Sequence, residues 1–325
     1  MNMRKQCEKP VKMLMLEALM RRLPANHPKQ ESINNDFRKI RAGFNGERRI
    51  GNELNSLSKD YHVLHDLRLC HEGNRFFQID YLIISKKYCL IIEVKDFKGM
   101  LYFDRTYHQL IQTKDGQEQA YLDPLLQVDV QKTRLSEWFA VHDFPALPIE
   151  TLVANANPNT IIRTTPGFTP ILKKITGKEM LISKIQTLKD RYPSEQLTQR
   201  QQNKLTKTIV EKNTPHYPDI LQMYQIEEKD LLNSVQCPAC SALQMQYHWG
   251  KWSCRHCSKV SKDAHIQTLR DYALLINATI TNKQARQFLQ VESINTMQKM
   301  LYVLELPHWG KFRNRVYSLE RLIGE

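Results

Sequence analysis

Nowhere in these 325 residues does an apolar run approach the ~18 consecutive residues of a membrane-spanning helix. The chain is therefore expected to be soluble. The stretch Val11–Met20 follows basic residues, but Lys12 and Glu17 interrupt it and no small-residue cleavage site follows, so it reads as a short amphipathic helix and not as a secretory signal. No internal repeat or low-complexity tract is present. Cysteine is scarce and uneven: of seven, four fall within Cys237–Cys257, and Cys7, Cys70 and Cys89 are scattered. An odd, clustered set speaks against a disulfide framework and for a metal site in a reducing compartment, which places the protein in the cytoplasm. Acidic residues are also in deficit, 34 Asp and Glu against 47 Lys and Arg, for a net charge of +13. Such an excess favours an acidic partner, nucleic acid above all, over the alternative of a merely solvated basic surface.

Charge placed inside apolar β sequence is the most informative feature that is present. Gln78–Ile84 and Tyr88–Lys95 read as strands, and between them they carry Gln78, Asp80, Glu93 and Lys95. Strand side chains alternate faces, so Asp80 shares a face with Gln78 and Glu93 with Lys95, while Ile79, Ile92 and Val94 fall on the other. If the strands pair, the charged faces converge. Removing an unpaired ion from water costs roughly several kcal/mol, which mutual pairing or a metal must offset. A hard, oxygen-seeking divalent cation such as Mg²⁺ or Mn²⁺ beside a lysine fits this cluster, with Asp80 and Glu93 as ligands.

Asp80, a twelve-residue gap, then Glu93-Val94-Lys95, preceded by Gly46-Glu47 at the start of a helical stretch, resembles the PD-(D/E)xK nuclease core. More narrowly, the chain resembles the nuclease-related domain family, NERD, through Gly46-Glu47-Arg48-Arg49, Phe77 to Ile84, Ile92 to Gly99 and Asp123-Pro124-Leu125-Leu126-Gln127. The likeness runs from about Gly43 to near Ile162. Tyr81 stands where the family commonly has histidine, Val94 where it often has threonine and Asp96 where it often has asparagine; none of these replaces a core ligand. The resemblance implies a restriction-endonuclease-like α/β core, a mixed sheet flanked by helices, that hydrolyses DNA phosphodiester bonds. It further implies that the Val94 carbonyl adds a metal ligand, that Lys95 orients the attacking water, and that Glu47 assists as an orienting base or through water. Gln127 would reach the site from a helix, and Gln78 would support it from behind. A catalytically inactive DNA-binding protein that keeps this fold, and an RNA-acting nuclease, are the rival readings.

Helical spacing and breakers outline the rest. Val11–Leu23 is followed by the breaker cluster 24–28, a charged helical stretch from Ser32 to about Arg41, and a helix from Phe44 to Ser58 that carries Glu47 one turn before Ile50. Tyr61–Leu69, Gly99–Phe103, Ile149–Ala156 and Thr160–Arg163 read as strands; Pro124–Phe139, Thr176–Tyr192 and Ser194–Lys212 read as helices. Lysines and arginines gather between Lys173 and Lys207, as a phosphate-tracking or simply solvated face. The expected division is a helical extension over 1–43, the nuclease-like domain over 44–215, a linker over 216–233, a zinc ribbon over 234–260 and a helix-turn-helix-like module over 261–325.

Cys237-Pro238-Ala239-Cys240 and Cys254-Arg255-His256-Cys257, thirteen residues apart, have the spacing of a four-thiolate structural Zn²⁺ site, each pair forming a knuckle. His248, His256 and His265 are spare ligands nearby. Tyr247, Trp249 and Trp252 read as the small core of this ribbon, or else as base-stacking residues. The C-terminal stretch resembles a winged helix-turn-helix: Ala264–Ile276, a helix over Asn282–Leu289 capped by Thr281, a helix over Ile294–Leu304 capped by Ser293, and a wing over Lys311–Tyr317. Its candidate nucleic-acid contacts are Asn295, Gln298, Lys299, Arg313 and Arg315.

Overall fold

The computed structural model describes residues 3–168 and 171–323, without the side chains of Leu172 and Arg313. Two compact units account for the chain: Met1–Pro10 with Lys39–His216, and Val11–Arg38 with Tyr217–Glu325. Residues 1–43 thus divide between the two. Among the described residues no helix is long and apolar enough to cross a membrane.

Among the described residues the first unit has ten strands: β1 (Met3–Lys5), β2 (His62–His71), β3 (Arg75–Ile84), β4 (Cys89–Lys95), β5 (Met100–Asp104), β6 (Gln109–Lys114), β7 (Gln117–Leu122), β8 (Ile149–Asn155), β9 (Ile161–Thr164) and β10 (Ile175–Gly177). A mixed six-stranded sheet runs β1-β2-β3-β4-β8-β10, antiparallel at β2-β3 and β3-β4 and parallel elsewhere. Helices cover both faces, which is why β3 and β4 read as nearly continuous apolar runs and not as alternating ones. On one face Leu82, Ile84 and Ile91 pack with Val128, Leu135 and Trp138 of the helix Pro124–Val141 and with Leu205 and Ile209 of the helix Gln199–Lys212. On the other, Ile83, Leu90 and Ile92 pack with Ile50 and Leu54 and with Leu181, Ile185 and Leu188 of the helix Leu181–Arg191.

Several elements of this unit differ from the sequence expectation. The two stretches read as separate helices near 32–41 and 44–58 are one 25-residue helix, Gln30–Leu54. Gly43 within it costs about 1 kcal/mol relative to alanine, less than the roughly 1.5–3 kcal/mol from burying either Ile50 or Leu54, both 0% exposed. The helix expected from Thr176 begins only at Leu181, because Ile175–Gly177 pair with Val153–Asn155 as an edge strand. The hairpin β6-β7 was not anticipated; with β5 and β9 it makes a second, four-stranded sheet, β7-β6-β5-β9. Its two-residue turn is Asp115-Gly116, both at positive φ (52° and 76°). That dipeptide is a strong hairpin signal, but the polar flanking strands hid it.

In the second unit, the helices Val11–Arg22 and Ala264–Leu275 are joined by a buried ion pair: Arg22 Nε donates to Asp271 Oδ2 at 2.8 Å, and Arg21 reaches the same carboxylate at 2.6 Å. Arg22 also donates to Thr268 Oγ1 and to the Ser234 carbonyl, so its wholly buried charge has partners on every side. Three short strands, β11 (Gln246–His248), β12 (Lys251–Ser253) and β13 (Val260–Ser261), form the four-cysteine module. Beyond it come the helix Ala264–Leu275, β14 (Thr279–Thr281), the helices Asn282–Leu289 and Ile294–Val303, and the pair β15 (His308–Trp309) and β16 (Val316–Ser318). The strand β14 was not foreseen; it joins the sheet β14-β16-β15. The caps are as expected: Thr281 accepts from the Gln284 amide in a reciprocal capping box, and Ser293 accepts from the Thr296 amide.

Candidate functional site

The expected convergence of Asp80, Glu93, Lys95 and Gln127 is built by an interrupted strand ladder. Pairing of β3 with β4 runs from Ile84↔Cys89 to Tyr81↔Ile92 and stops there. Opposite Asp80, β2 is irregular: Asp66 has φ 49°, between the pairs His65↔Tyr81 and Leu67↔Ile79. Face alternation fails at this point, so Ile79 packs beneath the helix Pro124–Val141 while Ile92 and Val94 pack on the opposite face. The expectation that these three share a face is thereby corrected. The Val94 amide, left without a strand partner on this side, donates to Asp80 Oδ2 at 2.8 Å. A carboxylate thus sits in the gap of the ladder.

Lys95 Nζ donates to Glu93 Oε1 at 2.7 Å and to Gln127 Oε1 at 3.3 Å. Glu93 is 3% exposed, and its second oxygen accepts from Gln131 Nε2 at 2.9 Å. Gln131 was missed by the sequence reading, although it lies one helical turn after Gln127, a spacing that puts both on one face. Asp123 caps that helix by accepting from the Leu125 amide, with Pro124 at its first position, and so aims both glutamines. Burial, together with the neighbouring carboxylates of Glu93 and Glu47, holds Asp80 well above the usual carboxylate range, against the opposing pull of the Val94 amide and Lys95.

Glu47 arrives from the helix Gln30–Leu54. Gly46 permits that approach: a Cβ there would lie 2.7 Å from Asp96 Cβ. Asp96 in turn pairs with Arg49 of the same helix. Glu47 Oε2 accepts from His65 Nε2 at 2.7 Å, and the Tyr81 hydroxyl donates to the Glu47 carbonyl at 2.9 Å. Cys7 Sγ lies 3.6 Å from the same His65 nitrogen, carried there by β1, while Lys5 Nζ donates to the carbonyls of His65 and Asp66. Neither His65 nor Cys7 was singled out from the sequence. Gln78 does not join the cluster: it is exposed, and its Nε2 donates to Asp66 Oδ1 at 2.8 Å, bracing the irregular position across from Asp80.

Burial pushes His65 down, but hydrogen bonds with Cys7 and Glu47 outweigh it and raise its pKa to about 9. The unfolded value is near 6.5, so the combined contribution of the Cys7 and Glu47 contacts, about 3 kcal/mol, is fully present below that pH and is lost as pH rises through about 9. Denaturant titrations from pH 6 to 9.5 should therefore show stability falling across this window in the wild type and a flatter profile in His65→Gln. The same slope in both proteins would dissociate His65 from Glu47.

The second candidate centre lies in the second unit. The sulfurs of Cys237, Cys240, Cys254 and Cys257 all lie within 4.8 Å of one another, and all four are free thiols. The Ala239 amide donates to Cys237 Sγ and the His256 amide to Cys254 Sγ, each at 3.4 Å, the local geometry of two knuckles. Four soft sulfur ligands at this separation can hold a metal ion. The spare histidines are not needed: His265 Nδ1 accepts from the Trp252 indole at 3.2 Å, and burial depresses its pKa to about 4, so it is neutral. His248 and His256 are exposed. Trp252, 1% exposed, is core with Tyr247 beside it, but Trp249 is fully exposed, which corrects the reading of all three aromatics as core. In the C-terminal module Asn295, Gln298 and Lys299 are exposed on their helix and Arg315 is half-buried; the side chain of Arg313 lies outside the described residues.

A mixed sheet covered by helices, with an acid-acid-lysine cluster at an interrupted ladder, defines a nuclease-like α/β core. Residues 42–155 match the model of the family described as NERD, the nuclease-related domain. That span contains Glu47, Asp80, Glu93, Lys95, Gln127 and Gln131. No curated protein matches the chain.

Proposed function

We propose that the chain is a metal-dependent nuclease that hydrolyses DNA phosphodiester bonds, acting in DNA processing or repair. The observation that carries this reading is the meeting of Asp80, Glu93, Lys95 and Gln127 at the end of the β3-β4 ladder, with Asp80 raised by burial and by its acidic neighbours. A carboxylate held back from ionising, as Asp80 is, suits a divalent cation. The donor set is all oxygen, which suits Mg²⁺ or Mn²⁺, and the buried Gln131 Oε1 has no hydrogen-bond partner, as at a site that also holds water.

Asp80, Glu93 and the Val94 carbonyl would hold that cation, which when bound supplies charge neutralisation at the phosphate and a more acidic water. Lys95, anchored by Glu93 and Gln127, presents its ammonium to the scissile phosphate and stabilises the negative charge that develops there. Glu47, fixed by His65, accepts the proton of the attacking water. The four thiolates hold a structural Zn²⁺, a closed site that takes no part in hydrolysis. Exposed Asn295, Gln298 and Lys299, on a capped helix in a helix-strand-helix-helix-hairpin order, support DNA contact by the C-terminal module.

Incubation with labelled single-stranded, duplex and branched DNA and with RNA, in Mg²⁺ and in Mn²⁺, tests the reading. Metal-dependent cleavage of at least one DNA form is expected. Cleavage of RNA alone would reassign the substrate, and binding without cleavage of any form would leave an inactive DNA-binding protein on a nuclease fold.

A further inference from the structure

The hairpin of the four-cysteine module exhibits a side chain that the fold does not use. His248 pairs with Lys251, so β11 and β12 are joined by the two-residue turn Trp249-Gly250. Both residues are left-handed, φ 48° and 81°. Turns of this kind favour Asn or Asp before Gly, because short polar side chains tolerate the conformation and other L-residues are strained by it. Burial does not offset that cost, since the Trp249 indole is fully exposed. An indole offers a partner about 150–250 Å² of surface to cover. Trp252, only three residues on, is buried against Tyr247, so the module already has its core tryptophan.

Charge within the cysteine module itself has one sign, and the nearest carboxylate in sequence, Asp263, follows directly after it beside Lys259. Residues 234–262 contain no Asp or Glu, and Lys251, Arg255, Lys259 and Lys262 are all exposed. These four cations exceed the two net negative charges of a four-thiolate zinc centre.

We propose that Trp249 is a stacking platform for an unpaired base of single-stranded nucleic acid, whose phosphates are held by Lys251, Arg255 and Lys259. A single strand matches both features, because its bases expose π-faces to an aromatic ring and its backbone follows a basic surface. A duplex keeps its base faces inside the stack and offers the indole nothing. The proposal rests on the nucleic-acid reading of the chain but not on cleavage.

The test uses the full-length, zinc-loaded protein with no other divalent metal, and measures binding to a labelled oligothymidylate, to an abasic strand of equal length and to a duplex. Trp249→Ala should weaken oligothymidylate binding roughly 5- to 100-fold while changing abasic-strand and duplex binding by less than about two-fold. Trp249→Asn, which suits the left-handed turn, should keep the hairpin folded and show the same selective loss. Unchanged oligothymidylate affinity in both variants, or an equal loss on the abasic strand, would overturn the platform. So would a wild type that prefers neither substrate. A selective loss in both variants, together with a wild type that cleaves nothing in separate assays with Mg²⁺ or Mn²⁺, would remove the nuclease reading and leave the platform standing.

Discussion

Asp80→Asn and Lys95→Ala should each lower metal-dependent cleavage by at least about 10²–10³-fold, the cost of removing one group aimed at developing charge, and leave nucleic-acid affinity within a few fold. On the proposed reading Asp80 acts through the bound cation and Lys95 on the reacting phosphate, whereas affinity would come mainly from the many cations that neutralise backbone charge. Single-turnover cleavage beside a binding titration separates the two quantities. Retained cleavage in both variants would remove the site assignment. Asp80→Asn has a second signature that needs no turnover. Burial beside Glu93 and Glu47 raises the Asp80 pKa, so above the unfolded value near 3.9 its ionised form costs stability. The metal-free variant should therefore melt higher than metal-free wild type, and its melting temperature should no longer respond to Mg²⁺ or Mn²⁺. A lower melting temperature would mean that the Val94 amide bond to Asp80 outweighs the repulsion.

Removal of zinc should have the largest effect on structure. The purified chain should carry about one zinc, and Cys237→Ser or Cys257→Ser should abolish binding and expose residues 234–261 to proteolysis while the sheet of the first unit stays intact. Structural zinc contributes roughly 10–16 kcal/mol in finger peptides. The module buries few large apolar side chains of its own, chiefly Met245 and Trp252, so its own core cannot replace that contribution. Cobalt substitution gives an independent readout, with thiolate charge-transfer and tetrahedral d–d bands expected in the wild type and altered in either serine variant. Absence of metal, or unchanged protease resistance in the serine variants, would count against a four-thiolate zinc site.

The sequence by itself determined the strand pair that carries Asp80, Glu93 and Lys95, the helix that carries Gln127, the cap residues Thr281 and Ser293, and the four-cysteine grouping. Each is a local signal: an apolar β run broken by charge, a capping hydroxyl, a CxxC spacing. Only the tertiary structure decided that Glu47 meets His65 and Cys7, that Gln131 holds Glu93, and that Gln78 turns to Asp66. Those contacts join residues brought together by strand register and by docking of a helix on the sheet, and no local pattern encodes either. Strand parity also misleads wherever the backbone departs from regular β geometry. The end of the β3-β4 ladder separates Ile79 from Ile92, and the left-handed turn at Trp249-Gly250 sends one tryptophan to solvent while Trp252 stays inside. Alternation holds only while the hydrogen-bonded ladder continues, and the features most closely tied to function here sit where it stops.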